Sequence, residues 1–304
     1  MRLPAVAFCL FAIVAGGGVA SGVRPGEPAK DPAAVRAGVL AAINAERAKE
    51  GGAPLRLSAA LSAVAQARAE QLAKAGDMNA DPKAQERLNE EMKRAGYPAQ
   101  RWIESEISSG FSLGEVVGYW HRQSGATYGQ VLSRDFRDLG VGVASLEGQP
   151  LYTLFFAVPE HEYYAERTAG LQDLAAVRQA VLDQVNVERV KAGVPPLRLD
   201  PRLSLAAQRH ADDMLARDYF SHASPEGRTV IHRAATAWYS FHMVGENIAF
   251  GQLSAEQVVQ AWMESPEHRR NILEHGFLHM GLGVALGETP KGFQVKWVQT
   301  FGHP

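Results

Sequence analysis

The chain has 304 residues, of which 46% are hydrophobic and 21% charged, the balance of ordinary folded protein at a length that predicts two domains. A formal net charge of −2, with arginines 228, 233, 269 and 270 forming no long basic run, excludes the electrostatic footprint of a nucleic-acid binder. Intrinsic disorder and short-period solenoids are excluded as well.

The first residues carry Arg2, an apolar run from Ala5 to Val14, and small residues ending at Gly18-Val19-Ala20. This is the pattern of a secretory signal cleaved after Ala20, with an apolar core too short for a comfortable membrane span. No later stretch has the length or apolarity to cross a bilayer. The single cysteine, Cys9, lies inside this segment and too early for lipid attachment. An exported chain without it would have no thiol, so its cores must hold by packing alone.

A Gly/Pro-rich linker (residues 21–32) leads to Asp31-Pro32, which opens a helix with Val35, Val39, Leu40 and Ile43 at helical spacing and a stop at Gly51-Gly52. A second helix runs from Ser58 to Gly76 and a third from about Pro82 to Ala95. Ser112 and Glu115 make a capping box for a fourth. Two β-like runs follow, Leu139 to Leu146 and Leu151 to Val158, joined by Glu-Gly-Gln-Pro. Helices first and a hairpin last imply α+β layers.

The pattern then repeats. NAERAKEGGAPLRL at Asn44 returns as NVERVKAGVPPLRL at Asn186, an offset of 142 that also pairs Leu61 with Leu203, Tyr97 with Tyr239 and Trp120 with Trp262. So long a period means a duplicated domain, each copy with its own core. The expected limits are 33–160 and 171–304, with the boundary in the polar stretch from Glu160 to Gln172. Asp173 and Asp200-Pro201 start the second copy's first two helices, and Met280 to Leu286 and Phe293 to Phe301 are its closing strands.

The second copy is organised around Val244 to Leu273. Gly245-Glu246-Asn247 reads as a strand or tight bend that delivers one carboxylate to a fixed place. Ser254 and Gln257 form a capping box for a helix with Val258, Val259, Ala261 and Trp262 on its apolar face, and Ser265-Pro266 starts another helix. His268 falls in that helix's first turn, where the dipole disfavours an imidazolium and a neutral ring is expected.

Asn-x-Glu-Arg at Asn186, Pro196-Leu-Arg-Leu, His210-Ala-Asp-Asp-Met, Phe220-Ser-His-Ala-Ser-Pro-Glu-Gly, Gly245-Glu-Asn-Ile-Ala, Trp262 to Leu273, Gly281-Leu-Gly-Val and Trp297-Val-Gln-Thr-Phe-Gly stand in order through the second half. In these the chain resembles the CAP superfamily of cysteine-rich secretory proteins, antigen 5 and plant pathogenesis-related proteins, in its cysteine-free bacterial branch. The resemblance implies two tandem α-β-α sandwich domains, each with a cleft beside its sheet. It also implies two histidines and two acids around that cleft: His222, His268 and Glu246, with His232 standing where the second acid belongs. Three imidazoles and one carboxylate would suit Zn²⁺, provided His232 points inward.

In the first copy Ala80 stands for His222 and, with a one-residue shift that keeps Ser124 under Ser265, Thr127 stands for His268. Glu90 and Glu104 keep acids at the other two positions, with Glu106 a competitor for the place of Glu104. Such a set makes a poor Zn²⁺ site, and this copy reads as degenerate.

By spacing alone His222, His232, Glu246 and His268 fit equally a hydrogen-bonded brace. His210 reads as a packing histidine, and His279 has a lesser claim on the cleft. His121, His242, His275 and His303 read as surface, and Trp262 and Trp297 as core. Two functional classes follow. One is an exported binding module for an envelope or extracellular lipid, glycan or protein. The other is a metal-dependent hydrolase with Glu246 or a histidine, His268 foremost, as general base. No serine elbow or thiol supports covalent catalysis. A purely scaffolding role is the third reading.

Overall fold

The computed structural model describes residues 10–13, 31–77, 84–108, 129 and 131–304. The chain forms two compact units, Arg2–Tyr163 and Tyr164–Pro304.

The first unit contains β1 (Leu10–Ile13), α1 (Pro32–Lys49), β2 (Arg56–Leu57), α2 (Ala59–Ala75), α3 (Ala84–Arg94), β3 (Ala99–Ser108), β4 (Asp138–Leu146) and β5 (Gln149–Pro159). Asp31 caps α1 by accepting from the Ala33 amide, and Ser58 caps α2, which Gly76 closes in the left-handed conformation at φ 67°. The sheet runs β1-β3-β5-β4-β2, antiparallel through β3, β5 and β4 and parallel at both edges. Val39 and Ile43 of α1 pack on one face with Ile103, Leu139 and Phe156. Leu61 and Ala65 of α2, with Leu88 and Met92 of α3, pack on the other with Trp102 and Phe155.

The second unit repeats this in α5 (Leu174–Lys191), β6 (Arg198–Leu199), α6 (Pro201–Ala216), α7 (Val230–Thr236), β7 (Met243–Phe250), α8 (Ala255–Glu264), α9 (Pro266–Ile272), β8 (His279–Thr289) and β9 (Gly292–His303), with sheet order β6-β8-β9-β7. Trp262 and Trp297 are fully buried in its larger core, with Val181 and Val185 of α5. Each unit is an α-β-α sandwich. None of the described helices is long and apolar enough to cross a membrane.

The structure adds elements that the sequence pattern hides. β3 carries no strand signal in the sequence, because Glu104 and Glu106 sit at the alternate positions that would otherwise read as apolar. The boundary stretch after Pro159 is helical as well, α4 (Glu160–Thr168) followed by a 3-10 turn at Ala169–Leu171. The helix expected from Ser112 lies outside the described residues. The Ser254 hydroxyl caps the Gln257 amide as expected, but the Gln257 side chain answers the amide of Leu253 rather than that of Ser254.

The duplication is written in matching buried hydrogen bonds. Arg189 donates to the carbonyls of Pro195, Ile272, Glu274 and Phe277 at 2.7, 2.7, 2.9 and 3.2 Å. Arg47 makes the same four bonds to Ala53, Val131, Ser133 and Phe136 at 2.8, 3.0, 2.9 and 3.5 Å. The Asn44 and Asn186 side chains each exchange two bonds with the backbone of Leu55 and Leu197. These partners keep the 142 offset up to Ala53, but from Val131 onward it is 141, so one residue intervenes. That is the shift that sets Ser124 under Ser265. Helix and strand approach closely at the same place in both units: a Cβ on Gly142 would sit 2.0 Å from the Ala65 carbonyl oxygen, and one on its counterpart Gly283 2.3 Å from the Gln208 amide.

Candidate functional site

Glu246 is the buried centre of the candidate site in the second unit. β7 carries it inward, and its Oε1 lies 2.9 Å from Nδ1 of His222 while Nη2 of Arg233 donates to its Oε2 at 2.6 Å. Arg233 also donates to the carbonyls of Arg228 at 2.8 Å and His222 at 3.0 Å, so one guanidinium ties α7, the 222–228 loop and β7 together. His210 holds that loop from behind, its Nε2 2.9 Å from the Ser221 carbonyl oxygen. Burial holds its pKa below the ordinary value, so His210 is the satisfied packing histidine the sequence implied. The His222 side chain is 59% exposed, the most open group of the site.

His268 enters from the first turn of α9. Asn247 donates to the His268 carbonyl at 3.1 Å, and Asn271 donates to the Glu246 carbonyl at 3.2 Å and to Oδ1 of Asn247 at 2.8 Å, latching α9 to β7. The His268 pKa is lowered, first by burial and then by the neighbouring His222. The neutral ring expected from its position stands, but burial rather than the helix dipole is the leading cause.

His232 does not join the cleft. It is exposed, and its Nδ1 accepts from the Thr229 amide at 3.2 Å and lies 3.1 Å from the Thr229 hydroxyl, closing a capping box at the start of α7. Successive helical residues point about 100° apart, so with Arg233 facing Glu246, His232 faces away. The four-residue metal set required His232 to point inward; that condition is not met, and the neighbouring Arg233 takes the inward place. A lone buried acid with no second carboxylate nearby was the available signal for a guanidinium partner.

This changes the chemistry of the set. Among the described residues no three His, Cys, Asp or Glu side chains are gathered closely enough to hold a metal ion. The site's one carboxylate is bonded to a guanidinium and an imidazole, and a fixed cation 2.6 Å from its oxygen opposes a second cation there. The residues present do not fit Zn²⁺ held by His222, His232, Glu246 and His268.

The first unit meets its acid differently. Arg68, at the place of His210, donates to Glu104 at 2.7 Å with both side chains buried. Glu106 is fully buried beside them, its carboxyl 3.7 Å from the guanidinium, and its pKa is raised by burial and by Glu104. As carboxylates both acids only accept; a proton on Glu106 lets it donate to Glu104. Glu90 is exposed and paired with Lys93 at 2.6 Å, away from any cleft. Ala80 and Thr127 lie outside the described residues, as does His121.

Of the other histidines, His279 accepts or donates at Nδ1 to the Tyr239 hydroxyl at 2.9 Å, and His242 and His275 are exposed. His303 is partly buried against the Gly276 carbonyl at 2.7 Å rather than free at the surface.

Tandem α-β-α sandwiches, the second with an acid bracketed by imidazole and guanidinium, define the structural class. The CAP family, the cysteine-rich secretory protein family, matches residues 40–158 and again 182–301, and the chain belongs to it. It is 39% identical over 116 residues to the uncharacterized protein YkwD of Bacillus subtilis (strain 168), covering 38% of this chain and 45% of that one. It is 32% identical over 117 residues to the uncharacterized membrane protein YlbC of the same organism, covering 38% of this chain and 34% of that one. The chain thus matches less than half the length of either relative. Among solved structures, an extracellular protein containing an SCP domain from Bacillus anthracis str. Ames is similar at 22% identity, over 54% of this chain and 60% of that one, with a TM-score of 0.40.

Proposed function

We propose that the chain is exported, with cleavage after Ala20 that removes the edge strand β1 and leaves β3 as the sheet's edge, to the cell envelope or beyond, and acts there as a binding module. Its second cleft takes a polar group of a lipid, glycan or protein ligand. The observation that carries this reading is that both oxygens of Glu246 are engaged by the protein's own side chains, at 2.9 and 2.6 Å. The one buried acid of the cleft therefore orients His222 and Arg233 instead of activating a water. With Nδ1 of His222 turned to Glu246, its Nε2 is left to accept, and neutral His268 adds a second imidazole. An accepting imidazole nitrogen suits a ligand hydroxyl, which donates to it. The test is binding of the exported chain to purified envelope lipids, glycans and proteins, with Glu246→Gln as control. Glu246→Gln is expected to weaken retention about tenfold with the circular dichroism unchanged. Failure to bind any of these ligands would sink the proposal.

The hydrolase reading draws on the same pair, since a carboxylate on Nδ1 leaves Nε2 of His222 placed to take a proton. It predicts that His268→Ala abolishes turnover with the fold intact; unchanged turnover would remove it.

A further inference from the structure

Lys296 stands where the fold asks for an apolar side chain. β9 sets it opposite Phe250 of β7 and Ala285 of β8, on the face where Ile248, Ala285 and Val298 pack with Ala207, Ala211 and Met214 of α6. The first unit fills the equivalent place, opposite Ser108 and Ala144, with the fully buried Leu151. Leucine therefore satisfies the sandwich. A lysine there, at 4% exposure, carries a desolvation cost that packing does not require.

Nothing in the fold repays that cost. Among the described residues no hydrogen bond or ion pair reaches the Lys296 ammonium. Asp218, the acid that acts on it, is held by Lys291 at 3.0 Å and by Gln294 at 3.2 Å. Burial holds the Lys296 pKa below the ordinary lysine value, with Asp218 pulling it up and Lys291 pushing it down. Its Nζ lies instead 5.5 Å and 5.4 Å from the ring centroids of Phe220 and Phe250. These two rings meet edge to face, 5.0 Å apart at 61°, and both are open to solvent, Phe220 at 42% and Phe250 at 51%. Nζ is not sealed beneath them. An unpaired cation rimmed by two open rings offers its charge to an anion and flat apolar surface to the body that carries it. A planar aromatic body gains from ring-to-ring contact, which an alkyl chain does not.

We propose that Lys296, Phe220 and Phe250 form a binding site for a small aromatic carboxylate, with the carboxylate on the ammonium and the ring against the two phenyl groups. Phe250 stands four residues after Glu246, about 13 Å along β7, so this site does not depend on what the Glu246 site holds.

The test is isothermal titration of the exported chain with naphthoate and with naphthamide, its neutral counterpart. The expected result is that naphthoate binds about tenfold more tightly, by a margin that shrinks in salt. Lys296→Leu, which copies the place of Leu151, should remove that preference while raising the thermal midpoint of the second unit, a combination that damage to the fold does not produce. Phe250→Ala should weaken both ligands alike. A chain that binds neither compound, or both equally, would overturn the proposal, and so would a Lys296→Leu chain that keeps the preference. Heptanoate bound as tightly as naphthoate would overturn the aromatic assignment and give the site to an alkyl chain.

Discussion

The two units start from one scaffold and treat the same carboxylate in different ways. In the second unit, Glu246 receives its guanidinium from Arg233 on α7 and an imidazole from an open loop. In the first, Glu104 receives it from Arg68 on α2, and Glu106 is buried alongside. Trp102 stacks on Phe155 at 5.5 Å beside that cluster. Phe155 is the strand neighbour of Glu104, where Glu246 has Thr300. What the copies share is the frame of buried arginines, amide bridges and close-approach glycines; what differs is which helix supplies the cation and whether water reaches it. A frame of backbone-directed bonds tolerates divergence of the cleft because none of its bonds ends on a cleft side chain.

The largest effects should come from breaking the shared frame. Arg189→Ala and Arg47→Ala each leave four carbonyls, two of them in buried bonds, without their donor, and each should destabilise its own unit by about 3–5 kcal/mol. Calorimetry of the two variants checks this by which transition moves; a variant with an unshifted transition would show that the frames are not equivalent. Next in size is the contrast between cations. Arg68→Ala leaves Glu104 and Glu106 buried together and should cost the first unit about 3 kcal/mol. Arg233→Ala opens onto the exposed His222 and should cost the second unit about 1 kcal/mol. Equal losses in urea titrations would contradict the difference in solvent access.

The units should also respond to acid in opposite directions. Glu106 is held above the usual carboxyl range by burial and by Glu104, so the folded first unit keeps a proton that the unfolded chain gives up. Its stability is highest below the unfolded value of about 4.3 and falls as pH rises toward about 8. His210 and His268 are held below their ordinary value, by burial first in each. Their folded unit gives up protons that the unfolded chain keeps, so its stability is present above about pH 6.5 and is lost on acidification. Melting each unit between pH 5 and 8, a range spanned by these ionisations, should show the two midpoints moving apart in sign; parallel movement would contradict it. The smallest effect is at the ends of α3 and α7, where Gly96 at φ 77° and Trp238 at φ 59° hold the same left-handed place: Trp238→Gly should stabilise by about 1 kcal/mol and Gly96→Trp should destabilise by a similar amount.

Much of this was legible in the sequence. The Asn44/Asn186 repeat announced the duplication, Asp31, Ser58, Asp173 and Asp200 announced helix starts, and the alternating runs announced the hairpins. The Glu246, His222 and His268 constellation was legible only through the family resemblance, since its members are far apart along the chain. Three features were hidden for physical reasons. β3 carries acids on its inward face, so its alternation did not read as a strand. Arg233 and His232 are adjacent on a helix, and only packing decides which of them turns inward. Trp238 reads as an ordinary aromatic until its backbone conformation is known.

The central claim is that the second cleft is a Glu246 brace presenting two imidazoles, and not a three-histidine metal centre. Imidazole ¹H–¹⁵N spectra of the chain during a Zn²⁺ titration test it most directly. The prediction is a His222 ring protonated at Nδ1 and held to Glu246, a neutral His268, and a His232 whose signals do not move with them. Stoichiometric, simultaneous shifts of His222, His232 and His268 on adding Zn²⁺ would contradict it.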